Sequence, residues 1–133
     1  MKWGFTGSQK GANIKDIFDV VCEILDDDDV VVTGACVGID SQVAHLVHEL
    51  YPQIKQVIIV PANRSKVDIS VLKFADELIQ MPRDTSYRDR NEKLVEESDK
   101  VIAFWTGQKA YSGTFMTITI AKRENKLFKI VDI

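Results

Sequence analysis

The chain has 133 residues, 45% of them hydrophobic and 28% charged, and a formal net charge of −3. One globular domain of this size buries a core without disulfides or a structural metal, which excludes the miniprotein scaffolds. The acidic balance excludes a protein that coats nucleic acid through bulk positive charge, so any phosphate contact has to be local. No apolar run approaches the roughly 20 residues of a membrane span, and Met1 to Thr6 lacks a signal-peptide pattern, so a cytoplasmic protein with no membrane partner is expected.

Lys2 to Thr6 reads as a strand, and Ala12 to Leu25 places Ile14, Ile17, Phe18, Val21, Ile24 and Leu25 at helical spacing. The run Asp26 to Asp29 that follows predicts a solvated turn rather than a metal cluster, because adjacent carboxylates point in different directions. Val30 to Thr33 is a β-branched run suited to a strand covered on both faces, and Ile39, Val43, Leu46, Val47 and Leu50 form the stripe of a second helix ending before Pro52. Gln56 to Val60 supplies a third strand. A polar stretch then turns helical near Ile69 to Phe74, and Glu77 to Gln80 reads as a short fourth strand. Helix from Ser86 to Glu97, strand from Lys100 to Trp105, helix from Tyr111 to Arg123 and strand from Leu127 to Val131 complete the order. Strands alternating with helices imply right-handed crossovers: an α/β, Rossmann-like three-layer sandwich with a mostly parallel sheet, in one domain.

In such a sheet the loops that leave the strands share one rim. The first reads Thr6-Gly7-Ser8-Gln9-Lys10-Gly11, the second Thr33-Gly34-Ala35-Cys36-Val37-Gly38-Ile39-Asp40, and the third runs through Thr106-Gly107 to Tyr111-Ser112-Gly113-Thr114. Glycine lets backbone N–H groups approach an anion, and a helix N-terminus adds unpaired donors and partial positive charge, so together these loops suit a phosphate. Taken singly, each loop reads more simply as glycine turning the chain and Ser or Thr capping a helix; three on one rim shift the balance toward a phosphate. Walker A and GxGxxG spacings are absent, which removes the main support for ATPase and dinucleotide-dehydrogenase readings, and no cofactor is expected.

Pro61 to Arg64 follows the third strand, and Arg83, Arg88 and Arg90-Asn91 precede the Lys100 strand; Arg64, Arg83, Arg90 and Asn91 are candidate phosphate or base contacts. Arg88 and Lys93 read as ordinary surface pairs with nearby acids. Phe104 belongs to the core, whereas Trp105 and Tyr111 lie where they could stack on a base. His45 and His48 share a helix face at i, i+3 but lack further ligands, so no metal is expected. Cys22 and Cys36 form no CxxC and read as free thiols, and neither Ser8 nor Ser112 has an evident His-Asp partner.

Gly7-Ser8-Gln9, Thr33 to Asp40 with Ala44-His45, Tyr87-Arg88-Asp89-Arg90-Asn91, and Ser112 to Thr117 with Ala121 resemble, in this order, the Smf/DprA group of the SLOG superfamily. That group has a GSR-type first loop, a [ST]GxAxGID second loop, an FxxRN segment and an SGSLxTA helix start. The resemblance spans nearly the whole chain. It implies a rim binding a nucleotide, a nucleotide-derived ligand or single-stranded DNA phosphate, and a homodimer of the kind that loads a recombinase. The loops and the resemblance together implicate Gly7, Ser8, Gln9, Lys10, Thr33, Gly34, Gly38, Ile39, Asp40, Pro61, Arg64, Arg90, Asn91, Ser112, Gly113, Thr114 and Thr117. This sequence departs from the group in carrying Gln9 where the group has Arg and in setting Ala44-His45 one residue farther from Asp40; it also ends without the extra terminal domains of many relatives.

The sister LOG group, more distantly similar, releases the base from nucleoside monophosphates with an Arg and the Glu of PGGxGTxxE. Arg90 matches the Arg, but the PGG lead is missing and Thr117 stands at the Glu position. A hydroxyl cannot replace a carboxylate in stabilising an oxocarbenium-like sugar, so binding without hydrolysis is the expectation. The alternatives are a phosphoribohydrolase that draws its carboxylate from Asp40, and a module that sequesters a ligand or binds a protein.

Overall fold

The alternation of apolar residues along each strand decides which helix covers which face. In the computed structural model, which describes residues 1–107 and 112–133, the elements in chain order are β1 (Lys2–Gly7), α1 (Ile14–Ile24), β2 (Val30–Thr33), α2 (Ile39–Leu50), β3 (Lys55–Val60), a 3-10 helix (Ile69–Phe74), β4 (Glu77–Gln80), α3 (Tyr87–Glu97), β5 (Lys100–Trp105), α4 (Gly113–Arg123) and β6 (Leu127–Asp132). The six strands form one sheet in the order β4-β3-β2-β1-β5-β6, and every pairing is parallel. The architecture is an α/β, Rossmann-like three-layer sandwich, with a sheet parallel throughout rather than mostly so.

Trp3 and Phe5 of β1, Val31 of β2, and Ile102 and Phe104 of β5 pack with Ile17 and Val21 of α1 and Val43 and Val47 of α2. The intervening residues face the other way: Val32, Val57 and Ile59 meet Leu94 of α3, and Val101 meets Val95 of α3 with Ile120 and Ala121 of α4. Period two along the strands therefore puts α1 and α2 in one layer and α3 and α4 in the other. Gly4 is required by this packing, since a Cβ there would collide with the Ser98 hydroxyl and lie 3.2 Å from Leu94 Cδ2.

Several local expectations are corrected. Ser86 is not in α3 but caps it, accepting from Asp89 N at 3.2 Å while Asp89 accepts from Ser86 N at 2.8 Å. The helical segment expected from Ile69 to Phe74 is present, as a 3-10 helix begun by Asp68 accepting from Ser70 N at 3.0 Å. The acidic turn is only partly solvated: Asp29 is buried and accepts from Trp3 Nε1 at 3.1 Å and Asp26 N at 2.9 Å. Among the described residues no acid, His or Cys cluster could hold a metal, and no helix is long and apolar enough to cross a membrane. His45 and His48 pack on Phe74, edge-on at 5.0 Å and stacked at 4.1 Å, which fastens the 3-10 helix to α2.

Phe104 is fully buried at the centre of the larger core, its ring stacked on Phe5 at 6.5 Å. Phe104→Ala should lower stability by about 3–5 kcal/mol in urea denaturation, because a cavity forms where neighbouring strands cannot close together.

Candidate functional site

All strands of a parallel sheet end at one edge, so the loops entering the helices line a common rim. The chain leaves β1 for the α1 face and β5 for the α4 face. These two strands are neighbours, Gly7 pairing with Phe104, so the direction of winding reverses between them. In open parallel sheets this point of divergence is where a crevice or notch is expected, and here the first loop lies on one side of it and the α4 N-terminus on the other.

The first loop is braced from α2. Gln42 offers Oε1 to Ala12 N at 3.0 Å and donates Nε2 to Ala12 O at 2.8 Å. Ser8 Oγ accepts from Lys10 N at 3.1 Å, and Gly11, at φ 77°, donates its N–H to Ser8 O at 3.1 Å. Gln9 and Lys10 are exposed. Gly7 must lack a side chain, since a Cβ would lie 2.5 Å from Ile39 Cγ1.

The second loop spends its donors inside the protein. Ile39 N donates to Ser8 O at 3.0 Å, Val37 N to Lys66 O at 2.9 Å, Ser41 N to Cys36 O at 3.1 Å and Cys36 N to Asp40 Oδ2 at 3.3 Å. Gly38 sits at φ 90°, where a Cβ would strike the Ser8 carbonyl and the Gln9 backbone. Gly38 and Ile39 therefore join the first two loops by close backbone approach.

Arg90 crosses this edge. From α3 in one layer it reaches the end of β2, donating Nη1 to Gly34 O at 2.8 Å, and meets Asp40 Oδ2 of α2 in the other layer at 3.4 Å. Gly34 is glycine because a Cβ would overlap the Arg90 guanidinium. Arg90 is 8% exposed and Asp40 6%, and Arg90 Nε has no hydrogen-bond partner among the described residues. Burial pushes the Asp40 carboxyl above the usual carboxylate range, and Arg90 and the Cys36 amide only partly offset it. Burial, then the adjacent Asp40, raise the Cys36 thiol to about 11, so this sulfur is neutral at physiological pH.

Asn91, the next residue on α3, faces α4: its Nδ2 lies 4.0 Å from Met116 Sδ and 4.0 Å from where a Cβ on Gly113 would be. Ser112 caps α4, accepting from Phe115 N at 3.1 Å. Thr114 and Thr117 are buried, and Thr117 Oγ1 donates to Gly113 O at 3.0 Å. Thr33 ends β2 with a buried hydroxyl that has no partner among the described residues. Trp105 packs on Phe115 at 5.6 Å, and Tyr87 lies beneath the Arg90 guanidinium at 5.9 Å. Tyr111 lies outside the described residues.

Arg64 and Pro61 share the edge but not the notch. They follow β3, two strands from β1; Pro61 is buried, and the exposed Arg64 donates to Gln80 Oε1 through Nε at 3.2 Å and again through Nη2. Arg88 pairs with Glu92 at 3.3 Å and Lys93 with Glu97 at 3.2 Å, as ordinary surface pairs. Sequence reasoning did not single out Gln42, whose signal was available: it stands one turn after Gly38 at the helix start, long enough to reach back to the first loop.

No protein-family model and no curated protein matches the chain.

Three outcomes follow from this geometry. Arg90→Met leaves Asp40 buried without its counter-charge and should cost about 3 kcal/mol in urea denaturation at neutral pH, with Asp40→Asn in the same chain recovering part of it. Because the folded state holds the Asp40 proton more tightly than the unfolded chain, this group's stabilising contribution is complete below the ordinary carboxylate pKa of about 4 and is lost as pH rises through its folded value. Asp40→Asn should flatten that part of the pH–stability curve. Separately, thiol titration of the native protein should find the exposed Cys22 reacting promptly and the buried Cys36 reacting only on unfolding.

Proposed function

We propose that the notch between the first loop and α4 binds the phosphate of a nucleotide, a nucleotide-derived ligand or single-stranded DNA, and does not hydrolyse it. The observation that carries this reading is the buried Arg90 side chain, whose Nε has no hydrogen-bond partner among the described residues. A buried guanidinium nitrogen without an acceptor is costly, and an anionic oxygen supplies one in charge-assisted geometry. The place supports it too, since open parallel sheets take ligands in the crevice where the winding reverses. Ser8, Gln9 and Lys10 on one side and the start of α4 at Ser112, Gly113 and Thr114 on the other would hold the remaining phosphate oxygens.

The residues that would be needed for hydrolysis are otherwise engaged. Thr117 is bonded within its own helix, Asp40 is held by Arg90 and the Cys36 amide, and the Cys36 thiol is neutral. The resemblance to the Smf/DprA group supports the same ligand class and adds a cytoplasmic homodimer to the proposal.

Calorimetric titration with nucleoside monophosphates, ADP-ribose and short oligonucleotides tests it. Saturable binding is expected, weakened about tenfold or more by Arg90→Lys, which keeps the charge but loses the planar fork. Chromatography of the incubated ligands should show no free base. Absence of binding to every ligand would overturn the proposal, and release of base would overturn its second half.

A further inference from the structure

Arg90 and Asp40 form a buried pair that is loosely tied. The guanidinium gives its shorter bond, 2.8 Å, to the Gly34 carbonyl, while Asp40 Oδ2 receives Arg90 Nη1 at 3.4 Å and the Cys36 amide at 3.3 Å, both long for a charged group. Gly34 makes room for the meeting, since a Cβ there would lie 2.9 Å from the same Oδ2. Three elements supply what faces the carboxyl. Arg90 comes from α3, with Tyr87 of the same helix against its guanidinium at 5.9 Å; Cys36 comes from the second loop; the first loop brings the uncharged backbone of Ser8 and Gln9 against Gly38. The guanidinium keeps its charge at any pH the fold meets. The buried Cys36 thiol stays neutral up to about 11, and burial raises the Tyr87 phenol above its ordinary value. Asp40 is the group of this set whose charge changes at lower pH, and burial moves that change upward from the ordinary carboxylate range.

We infer that the rim takes an anion and a proton together: a proton on Asp40 frees the charge of Arg90 for an incoming anion, and the bound anion in turn holds the proton on Asp40. The inference rests on the rim reading above and concerns how that site is controlled. With Asp40 ionised the pair is neutral, and an anion at Arg90 Nε would leave a buried site of net negative charge, which desolvation penalises. With Asp40 neutral, Arg90 is an unbalanced cation. The anion then restores neutrality and gives Nε the acceptor it lacks among the described residues. The proton comes from solvent and goes to an Asp40 oxygen, and no bond of the ligand changes. Linkage makes the effect reciprocal and fixes its sign. Below the Asp40 value of the free protein the carboxyl is already neutral and affinity is flat. As pH rises through that value affinity falls, because each anion bound must bring a proton with it; above the higher value of the complex it is flat again. Asp40 acts on the ligand through Arg90 and does not need to touch it, which makes it a positioning residue whose charge can be withdrawn.

The test is calorimetric titration with inorganic sulfate and with ADP-ribose, whose charges stay fixed from about pH 5 to about pH 9, in buffers of different ionisation enthalpy, on the wild-type chain and on Asp40→Asn. The buffer dependence of the heat counts the protons taken up. The wild type should bind about tenfold more tightly at the acid end than at the alkaline end, with proton uptake confined to the falling limb. Asp40→Asn, similar in shape and uncharged at every pH, should bind with a flat profile, without uptake, and more tightly than wild type at the alkaline end. A carboxyl that only braces the second loop predicts otherwise: the variant would bind more weakly at every pH and keep the wild-type profile. The proton count on the wild type needs no variant, so it decides the matter even where Asp40→Asn folds poorly. Binding with no uptake and constant affinity across the range, or a profile that survives in Asp40→Asn, overturns the coupling and leaves the rim reading standing. Failure of both probes at every pH also overturns the coupling, and failure of nucleoside monophosphates and oligonucleotides as well overturns the rim reading with it.

Discussion

The contact on which the rest of the molecule's working edge depends is the hydrogen bond from Arg90 Nη1 to the Gly34 carbonyl. Most contacts in a layered α/β domain join a helix to the sheet beneath it. This one passes over the end of the sheet, from α3 in one layer to the end of β2, and meets the first turn of α2 in the other layer through Asp40. A guanidinium buried to 8% exposure is tolerated only where acceptors surround it, and Gly34 provides both an acceptor and the space by having no side chain. The arrangement leaves one nitrogen of the fork unbonded among the described residues.

Rigidity spreads outward from that point through short connections. Asp40 takes the Cys36 amide and so fixes the second loop; Ile39 and Gly38 abut the backbone of Ser8 and Gln9; Gln42 clamps Ala12. The first loop is thus shaped largely by α2 rather than by its own glycines. On the other side, Asn91 brings the start of α4 close to α3. Two consecutive residues of α3 thus meet the second loop and α4 respectively. A site carried by packed elements is better preorganised than one carried by loops alone.

The fold was legible because its signals are redundant. The β-branched run Val30 to Val32 needs cover on both faces, the stripe Ile39 to Leu50 needs one buried face, and their alternation leaves few topologies. The extent of the rim was legible as well, since parallel strands must release their loops at one edge. The reason for each glycine was not. Gly34 and Gly38 read in the sequence as positions that let a backbone approach an anion, whereas the structure uses Gly34 to admit the Arg90 side chain and Gly38 to admit the Ser8 carbonyl. Which group fills the space a glycine leaves depends on residues far along the chain, Arg90 for Gly34 and Ser8 with Gln9 for Gly38, and local spacing carries no record of it. Asp29 shows the same limit: a run of acids reads as solvated, and only the tertiary position of Trp3 turns one of them into a buried acceptor.

The Nε–H resonance of Arg90 in a nitrogen-15 correlation spectrum reports most directly on whether the rim receives an anion. In the free protein it should be protected from exchange by burial, and on titration with a nucleoside monophosphate it should shift saturably in step with the amides of Ser8 to Lys10 and the first turn of α4. A signal that stays in place while a nucleotide binds elsewhere, or that exchanges with solvent as quickly as Arg88, would contradict an anion site built on Arg90.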